Sequence, residues 1–366
     1  MKKIGKKTIA FVLAMTVALG GIISSCGYED FLLKEKPSLS EGAIKLDASI
    51  EEVYGNADAI VTIISDDGIY DSCVNLDRIF GERNLRFTVA GVVGFVEPHQ
   101  DEWNQLLRHG TIELVSHSYH HVRMSEDSYI AKNIEDLTCE IVDADQWYED
   151  WLDYEQIGFV CPENQMCENG YKIIGKNDFW AVRRGNRGYN SLSPEEGTQD
   201  GQWFNLKVQG ICDDGADTQV RNHWVDTAIN DKAWLIEMWH NVMPEDDGGY
   251  QTILIPDAEE HLDYVAQKAA ADEIWVATYD EAVKYIRERQ NSRLNAYISG
   301  DELFVSAELT NRKMSYETFN QPLTVSVVLP DGYLVSAAEN MKQINNVLSL
   351  DLIPGEQAII PVTPAL

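Results

Sequence analysis

Between residues 59 and 278 the chain holds eight almost entirely apolar runs of strand length, and helix-length amphipathic stretches separate several of them. A strand gives a continuous apolar run when both of its faces are buried, as in a parallel sheet covered by helices. The pattern predicts an α/β fold, a distorted (β/α) barrel of seven or eight strands over residues 57–291. An open doubly wound sheet is the alternative. The predicted strands are AIVTIIS (59–65), LRFTVAGVVGF (85–95), TIELVS (111–116), IGFVC (157–161), FWAVRR (179–184), NLKVQGIC (205–212), AWLIEMW (233–239) and EIWVAT (273–278).

The pattern changes after Arg289, where short alternating runs are separated by Gly, Pro and Asn turns. Such spacing is typical of antiparallel strands joined by tight turns. It predicts a small all-β module over residues 294–366, resembling a β-sandwich. Its few aromatic residues form no evident stripe, which favours a bracing role over glycan binding.

The N-terminus carries four lysines, an apolar run from Ile9 to Ile23 and then Cys26. This order is typical of a signal peptide, and "IISSC" resembles the bacterial lipobox. We expect residues 1–25 to be a lipoprotein signal peptide, Cys26 the lipidated residue and residues 26–56 a tether. The protein would then lie in the bacterial envelope, lipid-anchored to the outer membrane and facing the periplasm or the surface. The alternative is a membrane-spanning anchor, but the run is short for a span, which needs ~20 apolar residues.

The formal net charge is −31, and 60 acidic residues face only 25 basic ones after the four N-terminal lysines. A charge of this sign and size repels nucleic acids and strongly anionic polymers. Five cysteines follow Cys26, and this odd number excludes a fully paired disulfide framework. Buried free thiols are favoured, with a Cys161–Cys167 bridge as the alternative.

Titratable side chains follow three of the predicted strands directly. Asp66 and Asp67 follow the first strand, His117 and His121 follow the third, and His240 follows the seventh. The carboxyl ends of parallel strands meet at one face of the fold, where sites are built. His117 and His121 lie four residues apart, which in a helical turn would put both imidazoles on one side. One carboxylate with two imidazoles suits Zn²⁺ or a similar divalent ion with coordination positions left open.

The order of these motifs resembles the polysaccharide deacetylase (NodB-homology) family of carbohydrate esterases, over residues 57–290. The sequence Ser65-Asp66-Asp67-Gly68 resembles the family's first motif, and His117-Ser118-Tyr119-His120-His121 resembles its second. The apolar strand that ends in His240 is similar to the family's last motif.

The resemblance implies roles for each matched residue. Asp67, His117 and His121 would bind the metal, most favourably Zn²⁺, with Co²⁺ and Ni²⁺ open. Asp66 would be the general base and His240 the general acid, while Ser118 would brace the metal ligands and His120 would point away.

The chain departs from the family at the third motif, where an Arg normally stands two residues before a proline. Here Val160 occupies that position before Pro162. We expect Pro162 to support the site and Arg184 to replace the missing Arg, with Arg183 as the alternative. The Asp that pairs with the acidic His in the family has no firm match, and Asp213 or Asp214 is the best candidate.

The resemblance implies a metal-dependent hydrolase that removes N- or O-linked acetyl groups from a polysaccharide or oligosaccharide. N-acetylglucosamine polymers, peptidoglycan and O-acetylated xylan remain open as the acetylated glycan. The alternative is a catalytically impaired, carbohydrate-binding surface lipoprotein of the same fold. A serine hydrolase is discounted because the sequence has no Gly-x-Ser-x-Gly motif. The expected partners are the glycan and, through the lipid anchor only, the membrane, with no nucleic acid.

Overall fold

The computed structural model of the protein describes residues 42–153, 155–195, 201–210, 217–246, 248–335 and 341–364. The predicted signal peptide and Cys26 lie outside these residues. No helix in the described parts of the chain is both long and apolar enough to cross a membrane.

The strands were numbered in chain order. They are β1 (Ile44–Lys45), β2 (Asp47–Ile50), β3 (Ala59–Asp67), β4 (Phe87–Gly91), β5 (Ile112–Ser116), β6 (Gly158–Val160), β7 (Ala181–Arg187), β8 (Asn190–Ser191), β9 (Leu206–Gly210), β10 (Ala233–Trp239), β11 (Val242–Met243), β12 (Ile253–Leu254), β13 (Ile274–Val276), β14 (Ser292–Ser299), β15 (Glu302–Leu309), β16 (Leu323–Val328), β17 (Tyr333–Val335), β18 (Met341–Ile344), β19 (Val347–Leu352) and β20 (Gln357–Pro364).

The helices connect the strands of the first part of the chain. They are α1 (Tyr70–Gly81), α2 (Val93–Val96), α3 (Gln100–Leu106), α4 (Ile134–Thr138), α5 (Ala144–Leu152), α6 (Glu168–Ile174), α7 (Thr218–Asp231), α8 (Ile255–Ala270) and α9 (Tyr279–Gln290). A π-helical turn, Cys139–Asp143, joins α4 to α5. Short 3₁₀ turns lie at Tyr54–Asn56, Glu97–His99, Leu107–His109, Tyr129–Lys132, Pro162–Asn164 and Gln202–Phe204.

Seven parallel strands close into a barrel in the order β3-β4-β5-β6-β7-β9-β10, because β10 pairs again with β3. The prediction of a distorted barrel is confirmed, and the open doubly wound sheet is wrong. The distortion lies at β3, whose first residues pair with an eighth strand, β13, and whose last residues pair with β4. One edge of β3 is thus shared between two neighbours, β13 at its amino end and β4 at its carboxyl end.

Alternation along the barrel strands separates two hydrophobic cores. In β3, Val61 and Ile63 pack under the helices, whereas Ile60 and Ile64 fill the barrel interior. Both sets are almost fully buried, which explains the continuous apolar runs in the sequence. The same alternation directs the next interior position, Asp66, into the barrel.

The small all-β module is confirmed as two antiparallel sheets, one of five strands in the order β1-β14-β15-β20-β17 and one of four in the order β18-β19-β16-β2. Buried residues of both sheets belong to one hydrophobic core, including Leu303, Val305, Val325 and Leu350. The two sheets therefore pack face to face, as in a sandwich.

Part of the segment predicted as a tether forms strands of this module. β1 pairs with β14, and β2 pairs with β16. Residues Ile44, Leu46, Ala48 and Ile50 alternate with polar ones, and this short signal for a half-buried strand was missed. The two strands are only two and four residues long, and the strands with which they pair lie more than two hundred residues away in the sequence.

Gly91, at the carboxyl end of β4, gives the first prediction. A Cβ at this position would lie against the buried Tyr148 hydroxyl, far inside van der Waals contact, and 3.1 Å from a methyl carbon of Val96. We expect Gly91→Ala to lower the free energy of unfolding by about 1–3 kcal/mol, the usual cost of overpacking. Adding Tyr148→Phe should recover part of the loss, because it removes the hydroxyl. Thermal unfolding measures both effects.

Gly81, at the exposed end of α1, is the matched control. A Cβ there would meet only a Thr111 methyl carbon, at an ordinary 3.5 Å. Gly81→Ala should leave the melting temperature close to that of the unaltered protein. An equal loss of stability in both variants would show that the contact with Tyr148 is not the cause.

Candidate metal centre

The two aspartates at the end of β3 are turned apart by the backbone. Asp66 continues the strand and is buried in the barrel interior, at 4% exposure. Asp67 and Gly68 take left-handed conformations, with φ of 74° and 76°. Gly68 also lies close to the next strand, since a Cβ there would be 3.2 Å from the Gly91 Cα. The chain thus departs from strand conformation at Asp67, whose side chain is 20% exposed.

His117, directly after β5, is buried and held in one orientation by the neighbouring strand. Its Nδ1 donates a hydrogen bond of 2.8 Å to the Val160 carbonyl at the end of β6. A carbonyl oxygen only accepts, so Nδ1 carries the proton and Nε2 keeps its lone pair. Nε2 lies 3.7 Å from Asp67 Oδ1. Burial lowers the pKa of His117 to about 3, so the imidazole is neutral at physiological pH.

His121 reaches the same place through a bend and not through a helical turn, as its spacing had suggested. Ser118 and His121 have φ of 72° and 58°, and the Ser118 hydroxyl accepts a hydrogen bond of 3.0 Å from the His121 amide. His121 Nε2 lies 3.3 Å from Asp67 Oδ1. The predicted bracing role of Ser118 therefore has a physical basis, because its side chain holds the bend.

Asp67, His117 and His121 each offer one ligand atom, and these atoms lie within 4.8 Å of one another. Among the described residues no other group of three such side chains does so. Burial and the charge of Asp66 raise the pKa of Asp67, and the opposing effects of His240, His121 and Arg183 do not cancel this rise. One carboxylate and two imidazoles, with the remaining directions open, form a set that suits a divalent metal.

Asp66 is paired with Arg183 inside the barrel. Arg183 Nη2 lies 2.6 and 2.5 Å from the two carboxylate oxygens, and the arginine is fully buried. Burial raises the pKa of Asp66, but the opposing effects, led by the charge of Arg183, hold the pKa below its usual value. Asp66 is therefore ionised, and its carboxylate is fixed in orientation.

The choice of Arg184 as the replacement for the missing arginine was wrong. Arg184 points to the other side of β7 and donates a hydrogen bond of 3.0 Å to the Tyr171 hydroxyl. Successive residues of a strand face opposite sides, so only one of the two arginines can enter the barrel. Arg183 lies two residues after the interior residue Ala181, so it is on the same face of β7 and points into the barrel.

Asn164 is a residue of this site that the sequence analysis missed. Its side-chain oxygen accepts a hydrogen bond of 2.7 Å from Arg183 Nη1. Pro162 begins the turn that carries Asn164, and Asn164 itself has a φ of 60°. Gly185 leaves room for the amide, since a Cβ there would collide with it. The proline and asparagine in "PEN" directly after a strand were the available signal.

His240 follows β10 and is 8% exposed. Its carbonyl oxygen accepts hydrogen bonds of 3.1 Å from the hydroxyls of Ser65 and Ser72. Its imidazole Nδ1 has no hydrogen-bond partner among the described residues, and the ring packs against Tyr250. Trp239 pairs with Ser65, so His240 and Asp66, the residues that follow them, lie at the adjoining ends of β10 and β3.

The remaining predicted residues are placed as follows. His120 turns to the surface, where its Nδ1 lies 2.7 Å from a Glu140 carboxylate oxygen in the π-helical turn. Cys161 and Cys167 are both free thiols, so no bridge joins them. Asp213 and Asp214 lie outside the described residues.

No known protein-family model matches the chain, and no curated protein matches its sequence. Among solved structures, a candidate polysaccharide deacetylase from Mycobacterium smegmatis is similar with 13% identity and a TM-score of 0.49, over 67% of this chain and 96% of that one. A family 4 carbohydrate esterase from Streptomyces lividans is similar with 13% identity and a TM-score of 0.41, over 60% and 93%. A CE4-family pseudoenzyme from Bacillus anthracis is similar with 12% identity and a TM-score of 0.42, over 62% and 65%. At these values the likenesses carry no argument about activity, so function is inferred from the geometry of the site.

Metal content is the second prediction. The purified protein should bind about one divalent ion per chain, as a three-ligand site requires. His117→Ala and His121→Ala should each abolish tight binding, since each removes one of three ligands. His120→Ala is the matched control and should keep the metal, because His120 faces Glu140. The measurement is metal analysis after dialysis, and unchanged content in both ligand variants would exclude the site as assigned.

Proposed function

We propose that this protein is a metal-dependent hydrolase that removes acetyl groups from a neutral polysaccharide or oligosaccharide. The observation that carries the proposal is the grouping of a metal-ligand set with a carboxylate held ionised by an arginine and with a histidine. The aspartates are the last residues of β3, and the histidines come after β5 and β10, so all lie at the carboxyl ends of the barrel strands. The resemblance of the sequence motifs to the polysaccharide deacetylases supports the same reaction class.

In this proposal Asp67, His117 and His121 hold the metal, which supplies the polarisation of the acetyl carbonyl and the acidification of a water molecule. The neutral state of His117 fits this role, because a metal ligand must offer a lone pair. The hydrogen bond to the Val160 carbonyl fixes the ring, so that Nε2 and not Nδ1 would be the atom available to bind the metal.

Asp66 acts as the general base and takes a proton from the attacking water. Arg183 holds both carboxylate oxygens, which orients the base and keeps it ionised. His240 acts as the general acid and donates a proton from its ring to the leaving nitrogen or oxygen. The imidazole is the side chain best suited to donate a proton near neutral pH.

The net charge narrows the substrate class. With a formal charge of −31 the protein repels strongly anionic polymers. Neutral acetylated glycans, such as N-acetylglucosamine oligomers or acetylated xylan, therefore fit better than polymers rich in uronic acids or phosphates.

Acetate release tests the proposed function and is the third prediction. With Zn²⁺, Co²⁺ or Ni²⁺ added, the protein should release acetate from at least one of N-acetylglucosamine oligomers, peptidoglycan and acetylated xylan. Asp66→Asn should keep the metal and lose roughly 10²–10⁴-fold in rate, the usual cost of a lost general base. Arg183→Leu should also lose activity, because the base loses its orientation.

The neighbouring Arg184 provides the matched control for Arg183. Arg184→Leu removes the same charge one residue away, on the opposite side of β7, and should retain most of the activity. Metal-loaded wild-type protein that releases no acetate from any of these glycans would contradict the proposal and favour a carbohydrate-binding protein without activity.

The role of His240 is the fourth prediction. An N-acetyl sugar leaves as an amine, which must be protonated, whereas an activated aryl acetate leaves without a proton. His240→Ala should therefore lose far more rate on the N-acetyl sugar than on the aryl acetate. Losses of the same size on both substrates would mean that His240 is not the acid and only packs at the end of β10.

A further inference from the structure

Tyr250 lies on the segment between β11 and β12 and contacts His240 directly. The centroids of the two rings are 4.8 Å apart, and the ring planes stand at 88°. Although it touches a buried histidine, Tyr250 is 66% exposed. An aromatic ring this exposed, placed beside the proposed general acid, has no role in the hydrophobic cores.

The base of this segment is fixed by hydrogen bonds. β11 and β12 pair in parallel, with Val242 opposite Ile253. The Ile253 amide donates to the Asn241 carbonyl at 2.9 Å, and the Asn241 side-chain amide donates to the Tyr250 carbonyl at 3.2 Å. The position of Tyr250 is therefore set by the two residues that directly follow His240.

His240 itself is fixed from the other side. The Ser72 hydroxyl donates to the His240 carbonyl and accepts from the Val242 amide at 2.8 Å, so it ties α1 to the end of β10. With the backbone of His240 held in this way, the imidazole and the Tyr250 ring together form one corner of the site.

We infer that Tyr250 is a specificity-determining residue, whose exposed ring contacts the sugar ring that carries the acetyl group. The inference rests on the proposed function. To receive a proton from His240, the leaving atom must come within hydrogen-bond distance of the imidazole. That atom is bonded to a carbon of the sugar ring, so the sugar must also come into reach of a ring only 4.8 Å away from His240.

The chemistry of the contact suits a neutral sugar. A pyranose presents C–H groups on its faces, which pack on the negative face of an aromatic ring. Glu245 and Asp246, on the same segment, are exposed and carry negative charge. This corner therefore favours uncharged rings and disfavours uronic acids and phosphates.

The experiment compares two substrates in three variants. The first is whichever of N-acetylglucosamine tetramer and acetylated xylotetraose the wild-type protein deacetylates faster, and the second is a small aliphatic acetyl ester. Tyr250→Ala should lose roughly tenfold more in kcat/KM on the oligosaccharide than on the ester, mainly through KM. Tyr250→Phe keeps the ring and should stay near the wild-type ratio. Tyr316→Ala, which removes an exposed tyrosine of the β module, is the matched control.

Equal losses on both substrates in Tyr250→Ala would overturn the inference, since Tyr250 would then act only by positioning His240. No loss on either substrate would overturn it as well. If the metal-loaded wild-type protein releases no acetate at all, the proposed function fails. Calorimetric binding of the same two oligosaccharides then tests whether Tyr250 contacts the sugar. Weaker binding by Tyr250→Ala than by Tyr316→Ala would still support the contact, and binding unchanged by Tyr250→Ala would exclude it.

Discussion

The ion pair between Asp66 and Arg183 is the interaction on which the rest of the site depends. It joins β3 to β7 across the interior of the barrel, where both side chains are almost fully buried. A buried charge that loses its partner costs several kcal/mol, so neither residue is free to change alone. The pair is neutral as a whole, so the second carboxylate of the site, Asp67, adds a negative charge that the neutral His117 does not balance. A divalent cation between Asp67 and the two histidines would offset this charge.

The backbone around the centre is strained at several points together. Asp67, Ser118, His121 and Asn164 all take left-handed conformations that only glycine adopts freely. Each such residue costs of order 1–3 kcal/mol and persists only where the surrounding structure enforces it. Here the closed barrel enforces it, because β3, β5 and β6 end at the same rim of the barrel and their polar residues must turn back toward one point. Closure of the sheet into a barrel therefore also sets the geometry of the site.

The barrel and the grouping of polar residues at one end of it could be predicted from the sequence, because both follow from the burial of the strands. Strands buried on two faces give continuous apolar runs, and the carboxyl ends of parallel strands converge, so one of the two aspartates could be predicted to meet His117 and His121. The choice of Asp67 over Asp66 came from the resemblance to the deacetylase motifs. The choice between Arg183 and Arg184 was not predictable in this way. When both faces of a strand are apolar, the pattern does not show which face points inward. The role of Asn164 was not predictable for a related reason. Its side chain is positioned by a turn, and the periodicity of apolar residues gives no information about the conformation of a turn.

The two sides of the centre are held to different degrees. On the side of the base, Arg183 holds both oxygens of Asp66 and is itself held by Asn164. On the side of the acid, the backbone of His240 is fixed by two hydroxyls, but its ring is oriented by packing against an exposed tyrosine. Activation of water depends on preorganised charges and tolerates little movement. Proton donation depends on where the leaving group lies. The corner formed by His240 and Tyr250 is open to the substrate, so it can adapt to the position of the leaving group. In the proposed function, discrimination between sugars therefore belongs on the side of His240, the proposed acid.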